Sequence, residues 1–342
     1  MRIVVLSDTE LTNSNYRAYQ PIGVLERRGH TVRANSPERP VRPEELLDAD
    51  VVHIHRIATP ELQELVDAAR RNGVGIVWDN DDDVTAVPKS NPLYAKYGGF
   101  KSREMRAGVV KMLRLADVVT TPSAVLADQY RELGATDARV LENFVPPVFE
   151  KVRPVKHSGI TIAYLAALEH QVDYQQLGLR ETLTRLLDEH RDLRVMSIGL
   201  GLGLTSDRYE HTQHVAFLEL ARALSCADIG IAPLVDIPWN RARSNIKLKE
   251  YASAGLPWLA SPVGPYRGMG EEQGGRLVPD DGWHAALERL IANDRERRKL
   301  AKRAAKWVKS HGVERHAHLW EQALRDAIAC AQARAPRAVA AG

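Results

Sequence analysis

Short β-branched runs alternate along the chain with segments whose apolar residues recur every three or four positions. RIVVLS (2–7) reads as a strand, RAYQPIGVLERRGH (17–30) as a helix stopped at Gly29, and TVRAN (31–35) as the next strand. ADVVHIHR (49–56), GIVWDND (75–81), ADVVTTPS (116–123) and ARVLENF (138–144) continue the strand series. Between the first two of these, TPELQELVDAARRNG predicts a helix capped by Thr59, opened by Pro60 and ended by Gly73. A further helix is expected from Ser123. VPPVFEKVRPVKHSG (145–159) has three prolines and no period, and reads as a linker.

After the linker the alternation restarts. ITIAYLA (160–166), LRVMSIG (193–199), ADIGIAPL (227–234), LPWLAS (256–261) and GRLVPD (275–280) read as strands, with helices over 176–190, 215–225 and 245–254. The chain ends in a basic amphipathic stretch (283–312), a last helix (313–331) and the Ala/Arg-rich AQARAPRAVAAG, read as a frayed tail. Such β–α alternation predicts parallel sheets covered on both faces, an α/β class.

Composition narrows the class without naming a ligand. The 342 residues suit two domains, and the net charge of +3 is compatible with an anionic ligand. Cys226 and Cys330 fit no zinc or CxxC spacing and are expected as reduced, small hydrophobes in a cytoplasmic protein. The apolar run in MRIVVLSDTE is too short for a secretory signal, and no stretch approaches the roughly 20 apolar residues of a membrane helix.

Chemistry concentrates where strands end. Arg243 and Lys247 flank the start of the helix expected near Asn245, with Ser244 as its cap. A helix N-terminus with two added cations is an anion site, and phosphate or diphosphate is the expected guest. Glu250 lies three residues beyond Lys247 on the same face, placed to accept hydrogen bonds from a diol. A solvated helix start with self-paired charges is the equal alternative at this point. Arg241 and Lys249 gain no role and read as solvated.

RSNIKLKEYASAGLPWLASPVGPY (243–266) resembles the donor-site segment of retaining GT-B glycosyltransferases of family 4, and CADIGIAPL and YLAALEHQVDY (164–174) fit the same pattern. The resemblance implies two Rossmann-like doubly wound domains facing a cleft: an acceptor domain (1–150), a nucleotide-sugar donor domain (151–312), a helix crossing back to the first domain (313–330) and a flexible tail (331–342). It implies transfer of a sugar from a UDP- or GDP-linked donor to an acceptor hydroxyl, with retention, no metal and no other cofactor. Arg243 and Lys247 would neutralise the leaving diphosphate and Glu250 would hold the ribose. Ser244 and Asn245 would donate to phosphates, Gly264, Pro265 and Tyr266 would form a loop under the donor, and Asn240, Gly199 and His170 would complete the donor side. Many relatives carry a second, sugar-binding acid where Ala242 stands, so sugar contact falls to Asn240 or Asp236.

In the first half, relatives carry a Tyr-Arg pair before the first helix, so Tyr16 and Arg17 are expected to face the cleft. His55, at the carboxyl end of its strand, is a candidate to touch the acceptor or the transferred sugar, with a satisfied buried histidine the equal alternative. WDNDDDV (78–84) crowds Asp79, Asp81, Asp82 and Asp83 at a strand end. A DxD metal site is one reading. Orientation of acceptor or loop by Asp81 and Asp82 is preferred, with solvated loop caps expected for at least half of the acids. SIGLGLGL (197–204) is either a strand-end loop near the nucleotide base or a plain turn. RERRKLAKRAAKWVK (295–309) is either a track for phosphates or an anionic membrane surface, or a solvated helix face, the last being preferred. Two rivals to sugar transfer to a glycan, lipid-linked or small-molecule acceptor remain: an inactive nucleotide- or glycan-binding GT-B protein, and a DNA-base glycosyltransferase.

Overall fold

In a computed structural model describing residues 1–7, 14–92, 94 and 103–334, the chain folds as two α/β units. Unit 1 holds described residues 1–7, 14–85, 103–143 and 313–334; unit 2 holds 86–92, 94 and 144–312.

The strands of unit 1 are β1 (Arg2–Ser7), β2 (Thr31–Ala34), β3 (Val51–His55), β4 (Gly75–Asp79), β5 (Val118–Thr121) and β6 (Ala138–Val140), all parallel in the order β2-β1-β3-β4-β5-β6. Both faces of β3 and β4 are buried along their whole length, as continuous apolar runs in a parallel sheet require. Helices α1 (Gln20–Arg27), α2 (Pro43–Leu47), α3 (Pro60–Arg71), α4 (Arg103–Leu115) and α5 (Ala124–Glu132) cover the sheet. Thr59 and Ser123 accept from the backbone N–H groups of Leu62 and Leu126, the caps expected for α3 and α5. α2 and α4 were not anticipated.

Unit 2 opens with a short α6 (Pro147–Glu150), continues through β7 (Ile160–Ala166), α7 (Gln171–Gln176), α8 (Leu179–Glu189), β8 (Leu193–Gly199), β9 (Tyr209–Thr212), α9 (Leu220–Leu224), β10 (Ile229–Ala232), α10 (Pro238–Arg241), α11 (Ile246–Ser253), β11 (Trp258–Ala260) and β12 (Gly275–Leu277), and adds α12 (Trp283–Ala292) and α13 (Asp294–Val308). Its sheet order is β12-β11-β10-β7-β8-β9, all parallel. Two apolar clusters line its faces, one around Leu183, Ile231 and Trp283, the other around Phe149, Tyr251 and Trp258. The expected linker is thus only partly one: Phe149 is fully buried in the second cluster and Val145 bridges to Gly312, so burial overrides the proline-rich composition.

The last helix, α14 (Val313–Arg334), returns to unit 1, where it packs on α1 and β4. It includes residues 331–334, which had been assigned to the tail; Ala331 is fully buried, and residues 335–342 lie outside the described residues. No described helix is long and apolar enough to cross a membrane.

Each sheet has one place where neighbouring strands lead their connections in opposite directions: between β1 and β3 in unit 1 and between β7 and β10 in unit 2. In open α/β sheets the crevice outside the carboxyl ends of such strands is where ligands bind. Both charged clusters described next lie there.

Candidate functional site

In unit 2 the site is built on α11, and Tyr251 docks that helix. Its hydroxyl donates to the Ile231 carbonyl of β10 at 2.7 Å and accepts from the Leu165 N–H of β7 at 2.9 Å, straddling the two strands of the crossover. Gly230 makes room for the ring: a Cβ there would lie 2.5 Å from Tyr251 Cγ. The helix begins at Ile246 with Asn245 as N-cap, one residue later than expected, and the cap uses no side-chain oxygen. Ser244 therefore does not cap it; both Ser244 and Asn245 are half-buried at its entrance.

This docking brings Lys247, in the first turn, and Arg243, just before it, onto one acceptor. Lys247 Nζ and Arg243 Nη1 donate to His170 Nε2 at 3.0 and 3.1 Å. His170 follows β7, and its Nδ1–H donates to Asp173 Oδ2 at 2.9 Å, which assigns the lone pair to Nε2. Burial, then Lys247 and Arg243, lower the His170 pKa to about 4, so the ring is neutral at pH 7. Burial and the neighbouring Arg243 bring Lys247 down to about 8. Asp173 is held by the Val235 N–H at 2.9 Å and by Asn240 Nδ2 at 2.7 Å. Asn240 also donates to the Val235 carbonyl at 3.0 Å, so both of its amide hydrogens are used. Asn240 therefore positions Asp173 and the loop after β10, and only its oxygen remains for a ligand.

Arg243 also donates to Glu169 Oε1 at 3.0 Å and lies over the Trp239 ring. Against burial, which works to raise it, Arg243 and His170 hold the Glu169 pKa at about 2, so it is an anion. Lys247 lies over the Tyr164 ring, 5.6 Å from its centre. His170 Nε2 is its one hydrogen-bond acceptor, although an ammonium has three N–H groups. Glu250 is buried one turn further along α11, and its charge acts on both Lys247 and Tyr266. Burial pushes the Tyr266 phenol up, so it stays protonated.

The remaining sequence candidates fall around this centre. Gly264, Pro265 and Tyr266 form one turn of 3-10 helix. Gly264 has φ +52° and faces the α10 backbone so closely that a Cβ would lie 2.6 Å from the Asn240 carbonyl oxygen. Gly199 ends β8 beside Ala166, at the same edge of the sheet. Ala242 is fully buried, so the position where relatives carry a second acid is closed by packing here. Asp236 is not a spare acid: Arg241 and Arg267 both bond it, at 2.6 and 3.1 Å. Arg241 is exposed as expected, but Lys249 is not solvated; it is fully buried with Nζ 5.0 Å from the Phe144 ring centre.

Glu169 and Asp173 were missed as site residues. The Asp173 signal was present, since it stands three residues after His170 on the following helix. Glu169 carried none, because only the fold brings it to Arg243.

Unit 1 has a charged cluster of another kind at its own crossover. Arg17 and Tyr16 are buried rather than open. The Arg17 guanidinium grips Asp79 through two bonds, Nε to Oδ1 at 3.0 Å and Nη2 to Oδ2 at 2.6 Å, and donates to the Leu141 carbonyl and to Asn143 Oδ1. Against burial, Arg17 holds the Asp79 carboxyl below its usual range. Arg56 bonds Asp81 and Asp82, and burial's tendency to raise Asp81 is overcome by Arg56 and His55. Arg56 itself has φ +66°, a left-handed conformation that a non-glycine residue adopts only when its surroundings hold it there. Asp83 Oδ1 accepts from the Thr85 N–H and hydroxyl.

All four acids are buried, which overturns the expectation of solvated caps. Three carboxylates are matched to guanidinium groups and the fourth to Thr85, a donor set that leaves little for a metal. His55 is the satisfied, buried histidine, bonded to Asp81 Oδ1 at 3.2 Å and to Ser7 Oγ at 3.0 Å. His53, two positions earlier in the strand, is fully buried, and neither ring nitrogen has a partner among the described residues. Of the polar loop after β1, residues 8–13 lie outside the described residues.

Comparison with known proteins agrees with this geography. Residues 159–293, which contain the unit 2 site, match the family model described as glycosyl transferases group 1. No curated protein matches the chain by sequence. Among solved structures, the chain resembles sucrose-phosphate synthase from Thermosynechococcus elongatus, with a TM-score of 0.69 at 15% identity over 96% of this chain and 100% of that one. Anabaena HepE in complex with UDP gives a TM-score of 0.69 at 13% identity, over 95% of this chain and 100% of that one. An alpha-glucosyltransferase in complex with UDP-glucose and DNA containing an abasic site gives 0.65 at 13% identity, over 96% and 99%. At such identities these likenesses establish the fold. Residues 159–293 thus match the glycosyl transferases group 1 model, and the chain has the GT-B fold.

Proposed function

We propose that the chain transfers a sugar, with retention, from a nucleoside diphosphate donor to an acceptor hydroxyl, and that the unit 2 site holds the diphosphate without a metal. The observation that carries this reading is the pairing of Lys247 and Arg243 on one neutral imidazole. Lys247 keeps N–H groups that no described residue accepts from, buried where water serves them poorly, and a phosphate oxygen is the acceptor that suits them. As the bond from sugar to phosphate breaks, negative charge grows on the leaving diphosphate. Two preorganised cations stabilise that charge without reorganising. In the family-like retaining course, the leaving phosphate takes the acceptor proton on the same face. Glu250 is assigned to the ribose diol. UDP is the first donor base to test, because two of the structural neighbours hold UDP or UDP-glucose; GDP is the second.

A second reading, donor binding without transfer, is favoured by one observation: Ala242 is packed shut where a sugar-binding acid would stand. Incubation with a panel of UDP- and GDP-sugars separates the two. Release of nucleoside diphosphate that is lost in Glu250→Ala supports transfer or hydrolysis. Binding of the same sugars with no turnover supports the second reading and rejects the first.

A further inference from the structure

We infer that unit 2 carries a binding site for a transition-metal dication of the zinc type, built by α8 and α12 and independent of the donor reading. Glu189 is the last residue of α8 and His190 its C-cap; His284 and Glu288 stand four apart on α12 and so share one face. A Glu189 oxygen, a His190 ring nitrogen and a Glu288 oxygen all lie within 4.8 Å of one another. His190 Nε2 is 2.6 Å from Glu288 Oε2, and His284 Nε2 is 2.8 Å from Glu189 Oε2. His190 Nε2 therefore already aims at the centre it shares with Glu189 and Glu288, while His284 stands beside it, bonded to Glu189 Oε2.

The chemistry of the set selects the ion. One imidazole and two carboxylates, to which His284 adds a second nitrogen if its side chain turns in, suit zinc and its borderline neighbours and balance the charge of a dication; magnesium and calcium prefer all-oxygen sets. With bonds of about 2.0–2.2 Å, tetrahedral ligand atoms stand about 3.3 Å apart. The His190–Glu288 pair thus needs to open by only about 0.7 Å, and His284 must turn inwards from Glu189, both side-chain adjustments. On binding, each imidazole presents the Nε2 lone pair and carries its single proton on Nδ1.

The surroundings hold the backbone in place. Arg208 donates to the carbonyls of Leu187 and His190 at 2.6 Å each, pinning the turn that presents His190. Arg185 donates to Glu189 Oε1 at 2.6 Å and leaves Oε2 to the cluster. His190 lies just before β8 begins, at the sheet edge opposite the one that bears His170 and Gly199, so the site is separate from the candidate donor site. A bound ion would tie α8 to α12.

The test uses the full chain stripped with a chelator and titrated with zinc chloride by calorimetry, with cobalt as a spectroscopic substitute. The site predicts uptake of one equivalent, the intense visible absorption of four-coordinate cobalt, and a raised Tm. The His190→Ala/His284→Ala double variant loses that equivalent, and Glu288→Gln weakens it at least tenfold. All four side chains are at least a quarter exposed, and far-UV circular dichroism reports that the variants fold. No uptake by the wild type, or the same uptake in the double variant, overturns the inference.

Discussion

The two crossover clusters are made from the same residue types and end in opposite states. In unit 1, Arg17 and Arg56 each meet carboxylates through forked guanidinium contacts, and His55 closes onto Asp81. In unit 2, Arg243 and Lys247 share one neutral nitrogen; Arg243 also pairs with Glu169, and Lys247 makes no ion pair among the described residues. A buried pair whose charges answer each other is architecture. A buried cation without a paired carboxylate is held there at a cost, which a bound anion would offset.

Breaking the unit 1 pair should have the largest effect. Asp79→Ala leaves the Arg17 charge buried and unanswered, and is expected to destabilise by about 3–5 kcal/mol in urea unfolding. A loss below about 1 kcal/mol would mean that Arg17 escapes to water.

The pH response of unit 2 comes next. Lys247 has its pKa lowered from 10.5 to about 8, so between those values the unfolded chain binds more protons than the folded one. Its contribution to stability therefore rises with pH across that window. Diphosphate binding needs the protonated form, so UDP affinity should instead fall about fivefold between pH 8 and 9, or about 1 kcal/mol. Calorimetry at both pH values checks this, and a Lys247→Arg variant should flatten the dependence.

A smaller change tests His53, which, unlike His55, has no partner for either nitrogen among the described residues; burial lowers its pKa to about 4. His53→Leu removes an unsatisfied polar group and is expected to raise stability by about 1 kcal/mol. Least affected should be Arg241→Ala, which breaks an exposed ion pair with Asp236 and should cost under about 0.5 kcal/mol.

Much of the architecture was legible because parallel strands buried on both faces read as unbroken β-branched runs. The bounds of β1, β7 and β8 coincide with RIVVLS, ITIAYLA and LRVMSIG. β9 was not, because YEHT lies mostly exposed at a sheet edge and has no apolar pattern to announce it. In the site, Arg243 and Lys247 were legible from their place around a helix start. The sharing of His170 between them was not, since it joins residues more than seventy positions apart. Burial of the four acids at the end of β4 was hidden for a similar reason: a run of aspartates looks solvated until the fold brings Arg17 and Arg56 to it. Lys249 misled in the same way, its stem lost inside a helix face that looks polar.

The central claim is that Lys247 and Arg243 form a diphosphate site, and titration of UDP and GDP into wild type, Lys247→Ala and Arg243→Ala by calorimetry at pH 7 tests it most directly. Each substitution removes a charge-assisted hydrogen bond worth about 1.5–3 kcal/mol, which predicts a loss of about 10–150-fold in affinity with the fold intact. Equal affinity in all three proteins, for whichever nucleotide binds, would contradict the account, as would failure of the wild type to bind either.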